Sequence, residues 1–334
     1  MPPRPTRLPG DVELLLTAGR GVLTVTGAAG AGVPPHRLLR LVRAGLLVRL
    51  ARGAYASAEM YHALPPWPAF ALRSRAFTLA VGGLAHAAGW SAVALRGWPT
   101  ITAPPRTPTV VVPIGYGTAT NSAFGQVRVA ALPVGHRDVV DGVPVLSPAR
   151  ATVDLARTTS RAEALVLADA ALALGNNPAD LAGVLELMPH WPGVAGARWV
   201  IEHADPYAES ALETLGRLTF IDADLPVPVS NPWIDLGDAR YRADHLLDDQ
   251  WLIFEGDGAL KYSGPDAATV VDRQREREWR LRQAGFEICR YGWRLARHDR
   301  AELAGRFRHA IASQPVQRHP FPWYRDVHTY RRAA

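Results

Sequence analysis

Pro34-Pro35-His36-Arg37-Leu38-Leu39-Arg40-Leu41-Val42-Arg43-Ala44-Gly45-Leu46-Leu47-Val48-Arg49-Leu50-Ala51-Arg52-Gly53-Ala54-Tyr55-Ala56 decides how the first part of this chain folds. Proline suits the first turn of a helix and glycine the position just past its end, so the spacing predicts a helix over 34–44 closed by Gly45. Two short strands follow, 46–50 and 53–56, joined around Arg52-Gly53. Upstream, 11–18 reads as a short apolar helix stopped by Gly19 and Gly21. Thr24 then caps a second helix through Ala31, broken by Gly32. Helix, turn, helix and a two-stranded wing is the winged helix-turn-helix order, expected over 1–60.

The third helix divides into faces. Leu38, Leu39, Leu41 and Val42 supply an apolar side, while Arg37, Arg40 and Arg43 recur every three residues as a slowly turning basic stripe. With Arg49 and Arg52 on the wing, five guanidinium groups are available to one DNA duplex. The planar fork of arginine suits both phosphate and the guanine edge. An ordinary amphipathic helix with a solvated basic face has the same periodicity; the wing and the turn glycine favour the DNA reading.

At 334 residues the chain is long enough for two or three domains, and 48% apolar content is enough to fill their cores. A net charge of +6 leans toward acidic partners, nucleic acid first. The single cysteine, Cys289, excludes an internal disulfide and a cysteine-based zinc cluster, and in the strand-like run 286–291 it reads as a small core residue. Met1-Pro2-Pro3-Arg4-Pro5 has no hydrophobic secretory region, and the uncharged stretch 76–95 reads as a buried helix pair around Gly82-Gly83 rather than a membrane span, so the expected location is cytoplasmic.

The region 61–204 reads as a mixed α/β connector: a helical stretch around 70–95, strands near 109–112, 126–129 and 143–146, then helices from Ser147 and Arg161. It offers no nucleophile–base pair and no metal spacing, and His86 and His136 read as structural or surface histidines. A third region, 205–315, reads as an α/β domain, with a tail over 316–334 whose Pro320-Phe321-Pro322-Trp323-Tyr324 has the makings of a strap over a domain surface.

The third region carries the acidic chemistry. Glu255 and Asp257 are two apart on a strand and so project from one face. A hairpin loop at Asp249-Gln250 sets Asp244 opposite Glu255. Converging carboxylates repel unless a cation lies between them, and Mg²⁺ takes oxygen ligands while keeping waters for attack on a phosphate. Lys261 is the one lysine of the chain and stands close by as a compact cation. Strand, long helix over 266–284, then strand 286–291 implies a parallel pair.

Two resemblances follow from these residues. Glu213 on a helix, Arg242-x-Asp244, Glu255-x-Asp257-Gly258, Lys261-Tyr262, an Arg-rich helix, Gly285 and Arg290-x-x-Trp293 together resemble the very-short-patch-repair-like branch of the PD-(D/E)xK nucleases, over about 205–315. That resemblance implies a restriction-endonuclease-like α/β domain with Asp244 and Glu255 as Mg²⁺ ligands, Glu213 as a helix acid near the site, and Arg273 and Arg277 near phosphate. It departs from the pattern at Asp257, which stands where the lysine belongs. A migrated Lys261 and a domain that has lost catalysis both stay open. Gly21-Val22-Leu23-Thr24, the basic helix with Gly45-Leu46-Leu47-Val48-Arg49, Arg52-Gly53-Ala54-Tyr55, Ser91-Ala92-Val93-Ala94-Leu95-x-Gly97-Trp98-Pro99 and Ser147-Pro148-Ala149-Arg150-Ala151-Thr152-Val153-Asp154 resemble the type IV antitoxins of abortive-infection systems, over about 10–175. That resemblance implies a DNA-binding regulator with double-stranded operator DNA and a cognate toxin as partners. The expectation is therefore an α/β multidomain DNA-binding protein, and the alternative a metal-dependent endonuclease targeted by its winged helix.

Overall fold

The computed structural model describes residues 6–257 and 267–325, with the side chains of 267–271 excepted. Lys261 lies outside the described residues. The chain divides into two compact units. Unit 1 comprises 1–98, 102–158 and 183–189; unit 2 comprises 99–101, 159–182 and 190–334. No helix among the described residues is long and apolar enough to cross a membrane.

Unit 1 opens with α1 (Gly10–Ala18), β1 (Leu23–Thr24), α2 (Val25–Gly30), α3 (Pro35–Arg43), β2 (Leu47–Ala51) and β3 (Ala54–Ser57). The Thr24 hydroxyl caps α2 by accepting the Gly27 N–H at 3.0 Å. Gly45, at φ +79°, ends α3: its N–H donates to Val42 O and that of Leu46 to Leu41 O, both at 3.0 Å, closing the last turn. The three strands form one sheet in the order β1-β3-β2. β1 is a third strand that the sequence pattern does not announce, because two residues are too few for an alternation. Val12, Leu16, Leu38, Leu41 and Tyr55 close the small core beneath the helices.

The wing does not stand alone. After α4 (Ala58–Ala63), helix α5 (Pro66–Val81) packs on β2 and β3. Small wing residues Ala51, Ala54 and Ala56 admit Ala76 and Phe77 of α5 into a core shared with Val110 and Val112. The expected boundary at 60/61 therefore falls inside one compact unit. The uncharged stretch contains a helix pair, α5 and α6 (Trp90–Arg96), but with a strand, β4 (His86–Ala87), between them. Strands β5 (Thr109–Pro113), β6 (Thr120–Asn121), β7 (Gln126–Ala130), β8 (Arg137–Val140) and β9 (Val143–Leu146) complete a six-stranded sheet in the order β6-β7-β5-β4-β9-β8. On α7 (Pro148–Ala156) the buried Arg150 reaches Asp154 at 2.8 Å, Ala131 O at 3.2 Å and His136 Nδ1 at 3.1 Å. His86 and His136 are both buried, and burial holds both below the usual histidine range, which fits the structural and not the surface one of the two roles expected.

Helix α9 (Pro178–Glu186) carries the chain across the division at residue 183. Unit 2 contains α8 (Arg161–Ala173), α10 (Val194–His203) and α11 (Ala211–Asp222). It continues through β10 (Val229–Ser230), β11 (Trp233–Asp235), β12 (Arg240–Arg242), β13 (His245–Leu247) and β14 (Leu252–Asp257). It ends with α12 (Ala267–Gln283), β15 (Glu287–Gly292), α13 (Trp293–His298), α14 (Arg300–Ser313) and β16 (Trp323–Tyr324). The expected boundary at 204/205 falls within this unit, because α8 is bonded to α11. The Asp169 carboxylate, 1% exposed, accepts from both the Thr214 hydroxyl at 2.8 Å and the Arg217 guanidinium at 2.9 and 3.0 Å.

The central sheet of unit 2 runs β10-β13-β14-β15, with β14 and β15 parallel across α12 as the spacing predicts. Leu252 and Phe254 face α11, α13 and α14, whereas Ile253 and Leu246 face α12 and the small sheet β12-β11-β16. The segment 240–247 that precedes the hairpin turn is not one continuous strand. The chain breaks at Ala243-Asp244, where the Ala243 N–H donates to Pro232 O and Asp244 O accepts from the Asn231 N–H, so β12 and β13 join different sheets. The tail lies over unit 2: β16 pairs with β11, and Phe321 packs against Trp251 and Phe286.

Candidate nucleic-acid interface and acidic cluster

Pro34 and the turn at Gly45 fix both ends of α3, and the burial of Leu38 and Leu41 fixes its rotation. The outer face then presents His36, Leu39, Arg40 and Arg43, at spacings of three and four residues, all exposed. Leu39 is 42% exposed, which corrects its expected place on the apolar side. His36 and Leu39 thereby join a face that periodicity in arginine alone does not reveal. Arg37 turns away and forms a bidentate pair with Asp11 of α1, at 2.5 and 2.9 Å. On the wing, Arg49 Nε donates to Ala51 O at 3.3 Å, and its guanidinium lies 5.4 Å from the centre of the Phe124 ring. Arg52 is exposed at the wing turn. Of the five arginines, Arg40 and Arg43 share the outer helix face, Arg49 and Arg52 share the wing, and Arg37 serves the α1–α3 contact.

In unit 2 the hairpin register pairs His245 with Phe254 and Leu247 with Leu252, the register that sets Asp244 against Glu255. The Asp244 carboxylate accepts the Gly256 N–H at 2.8 Å. Positions 253, 255 and 257 share the α12 side of β14. There Glu255 pairs with Arg277 at 2.7 Å, and Arg277 also donates to Arg242 O at 2.5 Å. Asp257 pairs with Arg290 of β15 at 3.0 Å, and Arg290 holds Glu278 at 2.8 Å. Arg273 is exposed on α12.

Glu213 sits in the first turn of α11, capped by Ser210. Its carboxylate accepts from the Glu209 N–H at 2.8 Å, the Ser210 hydroxyl at 2.8 Å and the Asn231 amide at 2.6 Å. Burial still pushes its pKa above the usual range, against those three donors. Asn231, at φ +49°, links the acids by bonding Glu213 with its side chain and Asp244 with its backbone. Nothing in its sequence context marks it. Tyr291 completes the cluster, 2% exposed, with no hydrogen-bond partner for its hydroxyl among the described residues. Burial, then the charges of Asp244, Glu213 and Glu255, push the phenol well above its ordinary pKa.

Among the described residues no group of three His, Cys, Asp or Glu side chains is placed to hold a metal ion. The chemistry explains why: Glu255 and Asp257 already face arginine, and Glu213 is saturated by neutral donors. As arranged, the donor set does not fit Mg²⁺, and the arginines neutralise the acids that a cation would otherwise hold together.

Comparison with known proteins accords with the second of the two resemblances, that to the antitoxins. Residues 12–58, which run from α1 through the wing, match the family described as "Transcriptional regulator, AbiEi antitoxin". Residues 81–195 match "AbiEi antitoxin C-terminal domain". Two uncharacterized proteins of Mycobacterium tuberculosis, one from strain CDC 1551 / Oshkosh and one from strain H37Rv, are each 30% identical over 281 residues, spanning 79% of this chain and 97% of the relative. Both family matches end by residue 195, so the acidic cluster of unit 2 lies beyond them. The chain belongs to the AbiEi antitoxin family of transcriptional regulators.

Proposed function

We propose that this antitoxin-family regulator binds duplex DNA through the outer face of α3 and controls transcription from an operator, in the cytoplasm and in company with a cognate toxin. The observation that carries the reading is the exposed set His36, Leu39, Arg40 and Arg43. A helix of this kind seated in the major groove offers guanidinium forks to guanine and phosphate, a ring nitrogen to a base edge, and an apolar contact for a thymine methyl group. No acidic residue interrupts 14–58. The test is fluorescence anisotropy on labelled duplex DNA with the intact chain. Arg40→Ala should weaken binding by about tenfold or more. Unchanged affinity would remove α3 as the reader.

A second reading, Mg²⁺-dependent hydrolysis of DNA by unit 2, is favoured by the register that sets Asp244 against Glu255 and by Asn231, which bonds both Glu213 and Asp244. Against it stand the ion pairs from Arg277 and Arg290 and the Asp at 257. Incubation of supercoiled plasmid with Mg²⁺, comparing wild type with Glu255→Ala, separates the two. Nicking by wild type alone supports hydrolysis, and intact plasmid in both supports regulation without cleavage.

A further inference from the structure

Strand β6 forms one edge of the six-stranded sheet of unit 1, and β8 forms the other. The β6–β7 hairpin is firmly built. Ser122 Oγ accepts the N–H groups of Phe124 and Gly125, both at 3.2 Å, and the Ser122 N–H donates to Gly125 O at 3.0 Å. Gly125 is pressed so closely to α5 that a side-chain carbon there would fall 2.5 Å from the Phe77 ring. Phe124 extends from this turn to meet the Arg49 guanidinium, and a cavity of about 500 Å³ opens between Arg52, Thr120, Ser122 and Phe124. The hairpin thus stands beside both wing arginines. The wing turn is in turn stitched to the helix-turn-helix, since the Val25 N–H at the start of α2 donates to Gly53 O at 2.8 Å.

The composition of this edge indicates its partner. Residues 114–123 are all exposed, and no charged residue occurs between Arg106 and Arg128. Tyr116, Thr118, Thr120 and Asn121 offer neutral donors, and the exposed Gly115 and Gly117 carry no side chain to shield the backbone. Hydroxyls, amides and backbone N–H groups beside arginine are the side of an interface that contacts phosphate oxygens without reading sequence. We propose that the loop at 114–119 and the β6–β7 hairpin, together with Arg49 and Arg52, form a second contact with the phosphodiester backbone of duplex DNA, extending the footprint beyond α3. The inference rests on the DNA-binding reading and goes past it, because it assigns a DNA contact to the sheet that follows the winged helix.

The test is anisotropy of the full chain on a fluorescein-labelled duplex of mixed sequence, titrated across a potassium chloride series. Asn121→Lys adds a cation at the hairpin and should tighten binding about three- to tenfold while steepening the log–log salt slope by about 1. Asn121→Glu should weaken binding by a similar factor. Val139→Lys adds the same charge on β8, at the opposite edge of the sheet, and should leave the slope as in wild type. Misfolding cannot produce a tighter complex, so the lysine variant decides. If Asn121→Lys binds no tighter than Val139→Lys while Arg40→Ala weakens binding, the hairpin contact is wrong and the α3 reading stands. If Asn121→Lys tightens binding while Arg40→Ala changes nothing, the hairpin contact stands and α3 is not the reader. A wild-type chain that fails to bind the duplex at low salt overturns both.

Discussion

Arg37 of α3 and Asp11 of α1 meet in a bidentate ion pair, 26 residues apart in sequence, that takes one arginine of the basic stripe out of the outer face. The Arg37 guanidinium is the chief reason that the Asp11 carboxyl lies below its ordinary pKa. The pair is half exposed, so its role is to set the angle between two short helices more than to hold the fold together. Arg37→Ala is therefore expected to change affinity for a DNA duplex by no more than about twofold, against the much larger loss for Arg40→Ala. Equal losses in the two variants, measured by anisotropy at the same salt, would show that Arg37 leaves Asp11 to meet DNA.

Asp169 and Arg217 are expected to behave as a true core pair. Both are almost fully buried, and Arg217 also donates to His203 O at 2.6 Å. Removing one partner leaves an uncompensated charge inside the protein, at a cost of about 3–5 kcal/mol. Arg217→Met should cost that much in urea unfolding of the intact chain. Pairing it with Asp169→Leu should recover most of the loss. A double variant as unstable as the single one would show that packing, not charge, is at stake.

Much of this was readable from sequence wherever a local rule governs. Pro34 and Gly45 bracket α3, and the turn at 248–251 sets the β13–β14 register that brings Asp244 to Glu255. Contacts between distant segments were not readable. Strands of two residues, such as β1, β4 and β6, exist only because a neighbour pairs with them, so no alternation announces them. The assignment of Glu255 to Arg277 and of Asp257 to Arg290 depends on how α12 and β15 pack beside β14. From sequence the same carboxylates read equally well as ligands for a cation.

Asp169 and His245 should oppose one another as pH falls. Burial raises Asp169 to about 6 despite Arg217, whereas burial and then the Arg217 charge lower His245 to about 4. A raised carboxyl binds its proton more readily in the folded state, so its contribution is fully present below pH 3.8 and is lost as pH rises through 6. A depressed histidine contributes above pH 6.5 and loses that contribution as pH falls through 4. Each amounts to about 3 kcal/mol, so they nearly cancel in wild type between these limits. Relative to wild type, His245→Gln should gain stability as pH drops from 6 to 4, and Asp169→Asn should lose it. Parallel pH profiles for the two variants in chemical denaturation would contradict the assignment.

Tyr291 and Gly216 supply the last prediction. A side-chain carbon at Gly216 of α11 would lie 2.1 Å from the Tyr291 hydroxyl oxygen, so α11 reaches the sheet only because that position is glycine. The hydroxyl it faces is buried and finds no partner among the described residues. A polar group left unsatisfied in a core costs about 1–3 kcal/mol, so Tyr291→Phe should be neutral to stabilising. Gly216→Ala should destabilise by about 2–4 kcal/mol through overpacking and a forced helix shift. In the Tyr291→Phe background the same alanine should cost less, because the nearest atom it strikes has gone and only the ring carbons at 2.5 and 2.9 Å remain in its way. Thermal unfolding of the four proteins forms a double-mutant cycle, and additive effects would show that the two residues do not meet.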